Sequence, residues 1–432
     1  MDPQFSAVIL AAGHGSRMKS KLPKVLHQVL GVPIIDSVIH RVREAGAEDI
    51  TVVVGHEAQV VESHLSPSDV RIARQDVQSG TAHALLAALQ QQTPLHRHVL
   101  VLNGDLPDLD PAELQMNVRK LCETDAAFAV SSCRVSHPHG MGRMVRSGDG
   151  ALTNIIEEQD ADAETKQIDE VNLGIYSLDT AVVADHLAKM VGDDLAADSA
   201  RQESYLPRLV EILNHEGLGV VVHPSMAGQQ FLQVNDRQGL ARVSRVMQDK
   251  LQQQLMSAGV TIVDPATTWI ESEVEIGQDT LIHPQTVIRR GVRIGRNCEV
   301  GPFAHLRSGS ILEDDVKVGD FVEINRSHLS TGVRAKHLAY LGDATVGQRV
   351  NIGAGVVVAN YDGKNKSATV IGEGAFVGSG SVVVAPGDIG KDSIVGAGAV
   401  VPPGRPVEPG STVVGVPARK IKRDKDSMHE GT

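Results

Sequence analysis

The sequence predicts two architectures in series: an α/β domain with a Rossmann-like mixed sheet, then a parallel β-helix of hexapeptide repeats. Three observations carry this. The first half alternates short apolar runs with amphipathic helical stretches. The second half places an aliphatic residue at every sixth position. The composition, 432 residues with 42 glycines and 3% aromatics, suits small and β-branched residues, many tight turns and more than one core.

In the first half, Ala7–Leu10, Ile50–Val54 and Val99–Leu102 read as buried strands. Ile34–Ala45 reads as a helix with Ile35, Val38, Ile39 and Val42 on one face, and Ala82–Gln91 as another. Continuous apolar strands between such helices form a parallel sheet core covered on both faces, with ligands at the carboxyl ends of the strands. Asn235–Gly259 reads as a long linker helix, with Leu240, Val243, Val246, Met247, Leu251 and Leu255 at helical spacing and Gly259 as its stop.

From Ile276 the period is six. Ile282, Ile288, Ile294, Val300, Leu306, Leu312, Val318 and Ile324 follow in register, then Val346, Ile352 and Val358, then Ile371 through Val413. Each hexad supplies one short strand and one turn, and three hexads make a triangular coil. No coil buries its apolar face alone, so stacking supplies the core. Two breaks in register are expected, within Ser330–Thr345 and Ala359–Val370, and function is sought there because solenoid insertions loop out on one face. The expected boundaries are 1–234, a linker at 235–260, the β-helix at 261–423 and a loose polar tail at 424–432.

A formal charge of −12 and scarce aromatics argue against nucleic-acid and anionic-membrane binding. Cys122, Cys133 and Cys298 lack metal-ligand spacing and read as free thiols of a reducing compartment. With no long apolar run and no basic signal region, the expectation is a cytoplasmic protein.

The first strand runs into Leu10-Ala11-Ala12-Gly13-His14-Gly15-Ser16-Arg17-Met18. Small residues there let backbone N–H groups approach phosphate closely, and Arg17 and Lys24 add cations. A triphosphate needs this arrangement, because attack on the α-phosphorus requires charge stabilisation where pyrophosphate leaves. The alternative is the glycine turn of a dinucleotide fold, but the spacing lacks that fingerprint's third glycine. Asp105, at the end of the VLVL strand, is a hard oxygen ligand suited to Mg²⁺.

Together, L-A-A-G-x-G-S-R-M and L-P-K resemble the sugar-phosphate nucleotidyltransferase family. The resemblance extends to Gln75 and Gly80-Thr81 as base-reading residues and to Asn103-Gly104-Asp105 as the metal-binding segment. It also covers Gly140-Met141-Gly142-Arg143, Glu157-Glu158 and Val171-Asn172-Leu173-Gly174 in the sugar pocket. It implies phosphate and nucleotide contacts from Leu10, Ala11, Ala12 and Gly13, catalytic roles for Arg17 and Lys24, sugar contacts from Gly142, Glu157 and Asn172, and Mg²⁺ on Asp105 and Asn235.

This domain followed by a hexapeptide helix resembles the bifunctional N-acetylglucosamine-1-phosphate uridyltransferase/glucosamine-1-phosphate acetyltransferase family across essentially the whole chain. The left-handed sense of the helix is an implication of that resemblance. So are acetyl-CoA and UTP as substrates, N-acetylglucosamine 1-phosphate as the sugar, and a homotrimer with the acetyltransferase site between neighbouring β-helices. Gly301-Pro302-Phe303-Ala304-His305-Leu306-Arg307 matches a segment in which Arg307 holds sugar phosphate. Lys336-His337-Leu338-Ala339-Tyr340 matches the catalytic segment, with His337 as general base and Tyr340 as a substrate contact. Asn351, Ala354, Asn360 and Tyr361 fall in substrate and acetyl-CoA segments, and Ser379 and Ala397 at cofactor contacts. The pattern departs at Asn325, where the family has a phosphate-holding Lys. Strand alternation predicts that neighbouring Arg326 faces the other way. The alternative reading is a nucleotidyltransferase whose β-helix only trimerises or regulates.

Overall fold

A computed structural model describes residues 3–196, 203–225 and 233–421. Two compact units divide the chain, residues 1–244 and 245–432. The expected tail at 424–432 lies outside the described residues.

In the first unit, strands β1 (Ser6–Leu10), β4 (Asp49–Val54), β5 (Arg71–Arg74), β6 (His98–Asn103), β7 (Phe128–Arg134), β10 (Glu170–Asp179) and β11 (Val220–Pro224) form the main sheet. Their order is β11-β7-β10-β6-β1-β4-β5, and β8 (Arg143–Arg146) and β9 (Leu152–Ile156) extend it as a hairpin beside β10. A separate short pair, β2 (Gln28–Val29) and β3 (Val32–Pro33), precedes the first helix. The sheet is mixed because β10 runs antiparallel to both β6 and β7, while β1 is parallel to β4 and β6. Val8, Val53, Val99 and Val101 pack in one cluster with residues of α3 (Thr81–Gln91), α5 (Thr180–Ala196) and α6 (Leu209–His215). Ile9, Val52, Leu100 and Leu102 are equally buried and alternate to the opposite face. The remaining helices are α1 (Ile34–Glu44), α2 (Ala58–Leu65) and α4 (Pro111–Glu123). The predicted strands and helices all form, most with a residue added at one end. Because β1, β4 and β6 are parallel neighbours, their carboxyl ends open on one edge of the sheet.

Helix α7 (Arg237–Ser257) starts where Asp236 accepts the Gly239 N–H at 2.7 Å and stops before Gly259, at φ 97°. Its second half covers the first coil of the second unit. Gln248 accepts the Ile270 N–H at 3.1 Å, and Gln252 donates to the carbonyls of Pro265 and Thr268 at 3.1 and 2.9 Å. These amides satisfy backbone groups that have no coil beneath them.

The second unit is a parallel β-helix with three faces of stacked two- to four-residue strands. Partners lie one coil apart, as in Ile282↔Val300, Ile288↔Leu306 and Ile294↔Leu312. The aliphatic anchors form one continuous core. The expected break within Ser330–Thr345 is a loss of register without an insertion. No segment loops out there, and strands continue at His328–Leu329, Arg334–His337, Tyr340–Gly342 and Ala344–Val346. Register is lost because Ile324 to Leu329 and Leu341 to Val346 are steps of five residues instead of six. Both shortened turns lie at the corner between the second and third faces, one above the other, since Asn325 pairs with Gly342. The insertion at Ala359–Val370 leaves from the same corner one coil later. Three consecutive coils are thus irregular at one corner.

Candidate active sites

In the first unit a cleft of about 580 Å³ opens at the carboxyl ends of β1, β4 and β6. It is lined by Leu10, Ala11, Ala12, Gly13, Arg17, Lys24, Gln75, Gly80, Thr81, Asp105, Gly142, Glu157, Asn172 and Asn235. The first-unit residues given phosphate, base, sugar, catalytic or metal roles from the sequence therefore face one space.

The loop after β1 is fixed by its neighbours. Ala11 N–H donates to the Val53 carbonyl at 2.9 Å, and Gly104 N–H to that of Leu10 at 2.8 Å. Gly15 has φ 59°, and a Cβ there would come within 2.8 Å of the Lys24 Cβ. Only glycine gives both the left-handed turn and the close approach that sets Lys24 beside the loop.

The Lys24 ammonium pairs with the Asp105 carboxylate, whose side chain is only 5% exposed. Gln233 Nε2 donates to both Asp105 oxygens at 3.0 Å. Gln233 Oε1 accepts from Asn235 Nδ2 at 3.0 Å, and Arg17 donates to Asn235 Oδ1 at 3.1 Å. Gln233 is a residue that sequence reasoning missed. Its signal was its place two residues before Asn235, which puts both side chains on one side of an extended segment. Among the described residues no three His, Cys, Asp or Glu side chains are grouped to hold a metal. Asp105 and Asn235 still supply two hard oxygens, which fits an ion that completes its shell with phosphate and water.

At the base-reading end, the buried Gln75 amide donates to the Gly80 carbonyl at 3.0 Å and lies 3.0 Å from His83 Nδ1. Thr81 Oγ1 accepts the Leu206 N–H at 2.9 Å. Glu203 and Tyr205, from that same returning segment, line the cleft and carried no sequence signal.

In the sugar pocket, Asn172 Nδ2 donates to the Tyr176 hydroxyl at 2.7 Å and Asn172 Oδ1 accepts the Gly174 N–H at 3.0 Å. This happens where the β10–β7 register shifts between Asn172 and Tyr176. Burial pushes the Glu157 carboxyl above its usual range; Asp160 adds to the shift and Arg143 opposes it. The buried Arg143 pairs with Glu158 at 2.7 Å and braces the loop that carries Gly142.

In the second unit the irregular corner gathers polar side chains. Asn325 Nδ2 donates to the Tyr340 hydroxyl at 3.4 Å, which lies 3.5 Å from Asn360 Oδ1. Asn360 Nδ2 donates to Asp343, and Arg326 holds both Asp343 oxygens at 2.7 and 2.8 Å. This hydrogen-bonded pair keeps the Asp343 carboxyl below its ordinary value, against the opposing effect of desolvation. The expected orientation of Arg326 is corrected: its Nη1 donates to Asn325 Oδ1 at 3.0 Å. Arg326 has φ 48°, so the chain has left the strand and strand alternation no longer applies. Arg307 pairs with Glu323 at 2.9 Å on the second face.

His337 lies elsewhere, at the corner between the first and second faces, exposed, with Nδ1 3.8 Å from Asp320. Ala354, Ser379 and Ala397 stack at that corner in later coils: Gly380 N–H donates to Ala354 O at 2.7 Å and Gly398 N–H to Ser379 O at 2.9 Å. Asn351 lies on the first face. Tyr361 is exposed on the insertion, its hydroxyl donating to the Gly363 carbonyl at 2.6 Å. Among the described residues, His337 makes no hydrogen bond to the Asn325–Tyr340–Asn360 network.

Comparison with known proteins agrees with both units. A MobA-like NTP transferase domain matches residues 7–171. Bacterial transferase hexapeptide repeats match 273–308 and 291–326, and the hexapeptide repeat of succinyl-transferase matches 368–403. The second unit is thus the left-handed parallel β-helix of hexapeptide transferases. The Bifunctional protein GlmU of Syntrophomonas wolfei is 40% identical over 427 residues, covering 90% of this chain and 93% of that protein. That of Trichlorobacter lovleyi is 39% identical, with 90% and 91% covered, and that of Carboxydothermus hydrogenoformans 40%, with 90% and 93% covered. With this likeness running through both units, the chain belongs to the GlmU family of bifunctional proteins.

Proposed function

We propose that this chain makes UDP-N-acetylglucosamine in two steps. The second unit transfers acetyl from acetyl-CoA to the amine of glucosamine 1-phosphate. The first unit transfers uridylyl from UTP to the resulting N-acetylglucosamine 1-phosphate and releases pyrophosphate. The observation that carries the reading is the first unit's cleft, where two cations, a buried carboxylate and a phosphate-sized loop converge from distant stretches of sequence.

In uridylyl transfer, a phosphate oxygen of the sugar attacks the α-phosphorus in line. The loop Leu10–Gly13 holds the phosphates by its N–H groups, and Arg17 and Lys24 neutralise charge as pyrophosphate leaves. Gln75, Gly80 and Thr81 hold the base, while Gly142, Glu157 and Asn172 hold the sugar. Mg²⁺ on Asp105 and Asn235 would supply the remaining charge neutralisation and orient the phosphates.

In acetyl transfer, the amine attacks the thioester carbonyl, thiolate leaves, and His337 accepts the amine proton. Arg307, Asn325, Tyr340 and Asn360 hold glucosamine 1-phosphate. Asn351, Ala354, Tyr361, Ser379 and Ala397 hold acetyl-CoA. Because His337 and the Asn325 network lie at different corners of one β-helix, neighbouring copies in a homotrimer complete the site. No helix among the described residues is long and apolar enough to cross a membrane, and free thiols suit a cytoplasmic location.

Two assays test the reading: pyrophosphate release from UTP with N-acetylglucosamine 1-phosphate, and thiol release from acetyl-CoA with glucosamine 1-phosphate. Both are expected. Asn325 favours one second reading, since an amide brings no charge to a phosphate. Thiol release no greater than that of His337→Ala would leave the β-helix as a scaffold for assembly.

A further inference from the structure

Two imidazoles in the first unit's cleft have no part in the mechanism above. The rings of His14 and His56 lie 4.6 Å apart at a tilt of 45°, and both line the cleft. The backbone brings them together. His56 N–H donates to the Ala12 carbonyl at 3.2 Å, and a Cβ on Gly55 would come within 2.8 Å of the Ala12 side chain. Both residues are exposed, and among the described residues no other side chain engages their ring nitrogens.

Their position along the cleft is set by the glycines around His14. A Cβ on Gly13 would meet open space, so the loop there faces the cleft. Gly15 packs on Lys24, whose ammonium meets Asp105. His14 is thus the residue next to Gly15, whose neighbour Lys24 carries the cation that meets Asp105. Two neighbouring imidazoles left without protein partners offer N–H donors to an anion, and they do so in a chain of formal charge −12. The densest negative charge that enters this cleft is the nucleotide's polyphosphate.

We infer that His14 and His56 form a paired contact for the β and γ phosphates of the nucleotide, the group that leaves as pyrophosphate. The inference rests on the nucleotide reading of the cleft and adds two residues to it. The contact is lost with the leaving group, so it holds substrate and released pyrophosphate but not the nucleotide-sugar product.

That asymmetry is the test. His14→Ala and His56→Ala are made in the full chain, alongside His14→Gln and His56→Gln, which keep a neutral donor. Inorganic pyrophosphate affinity, KM for UTP and affinity for UDP-N-acetylglucosamine are measured for each. Each alanine is expected to weaken pyrophosphate binding and raise the UTP KM about tenfold, as loss of a charge-assisted hydrogen bond would. Glutamine should recover part of this, and the affinity for UDP-N-acetylglucosamine should stay unchanged. Equal losses for pyrophosphate and UDP-N-acetylglucosamine would mean that the pair serves the nucleoside or the fold, and would overturn the inference. A raised UTP KM with intact pyrophosphate binding, or no effect at all, overturns it too. Unaltered thiol release by the same variants guards against misfolding. If the unmodified chain forms no pyrophosphate from UTP, the nucleotide reading itself has failed.

Discussion

Gln233 stands between Asp105 and Asn235, donating to both carboxylate oxygens of the first and accepting from the amide of the second. With Lys24 on Asp105 and Arg17 on Asn235, it closes a chain of five side chains along the cleft. The two proposed metal ligands are thereby mechanically one unit. A carboxylate 5% exposed is costly to bury without partners, and here a cation and an amide both contact it.

The first prediction concerns Asp105. Asp105→Ala should lower pyrophosphate release by roughly a hundredfold or more, since it removes a ligand and frees Lys24 from its partner. Thiol release should be unchanged. Retained uridylyl transfer would refute the metal assignment.

Gln233→Ala should leave both oxygen donors in place but unbraced. Loss of such an outer partner weakens metal affinity or activity by roughly 10–100-fold. A magnesium titration of pyrophosphate release should therefore shift to higher concentration, with much of the maximal rate recovered at saturation. An unshifted titration would make Gln233 a bystander.

Glu157 predicts a pH dependence of stability. Its folded carboxyl is raised, so between the ordinary Glu value of about 4.3 and the raised value the folded state binds more protons than the unfolded one. Stability from this group is fully present below the ordinary value and falls as pH rises through the raised one. Glu157→Gln should flatten that decline and raise the melting temperature near neutral pH, while weakening sugar-phosphate binding. Melting curves from pH 4 to 8 for both proteins check this.

Arg326 orients Asn325. Arg326→Ala should release Asn325 Oδ1 and leave Asp343 without its guanidinium. The KM for glucosamine 1-phosphate in thiol release should rise about tenfold. Pyrophosphate release should not change.

If neighbouring copies complete the acetyltransferase site, His337→Ala and Asn360→Ala chains should each be inactive in thiol release. Mixed assemblies of the two, formed by co-expression, should recover part of it, because some sites then join two intact corners. Sedimentation of the unmodified chain should give three copies. A monomer, or no recovery on mixing, would count against a shared site.

The legible parts of this protein were those written locally. The strand that feeds Leu10–Met18 and the apolar runs at Ile50 and Val99 needed only burial and alternation. The hexad anchors needed only their period, because each coil repeats the demand of the one before it. The two five-residue steps showed in the sequence only as lost register, because each shifts the following anchors by one position without adding or removing a strand.

The sequence by itself determined the two architectures, the phosphate loop and most residues that line the cleft. Tertiary structure alone decided which of them touch. Gln233 reaches Asp105 across 128 positions because β6 ends where the segment before α7 returns, which strand order sets and local pattern does not. Arg326 meets Asn325 because one residue adopts a left-handed φ, a choice made by the shortened corner around it. His337 and Asn360 are close in sequence yet sit at different corners, because a triangular coil turns the chain away between them.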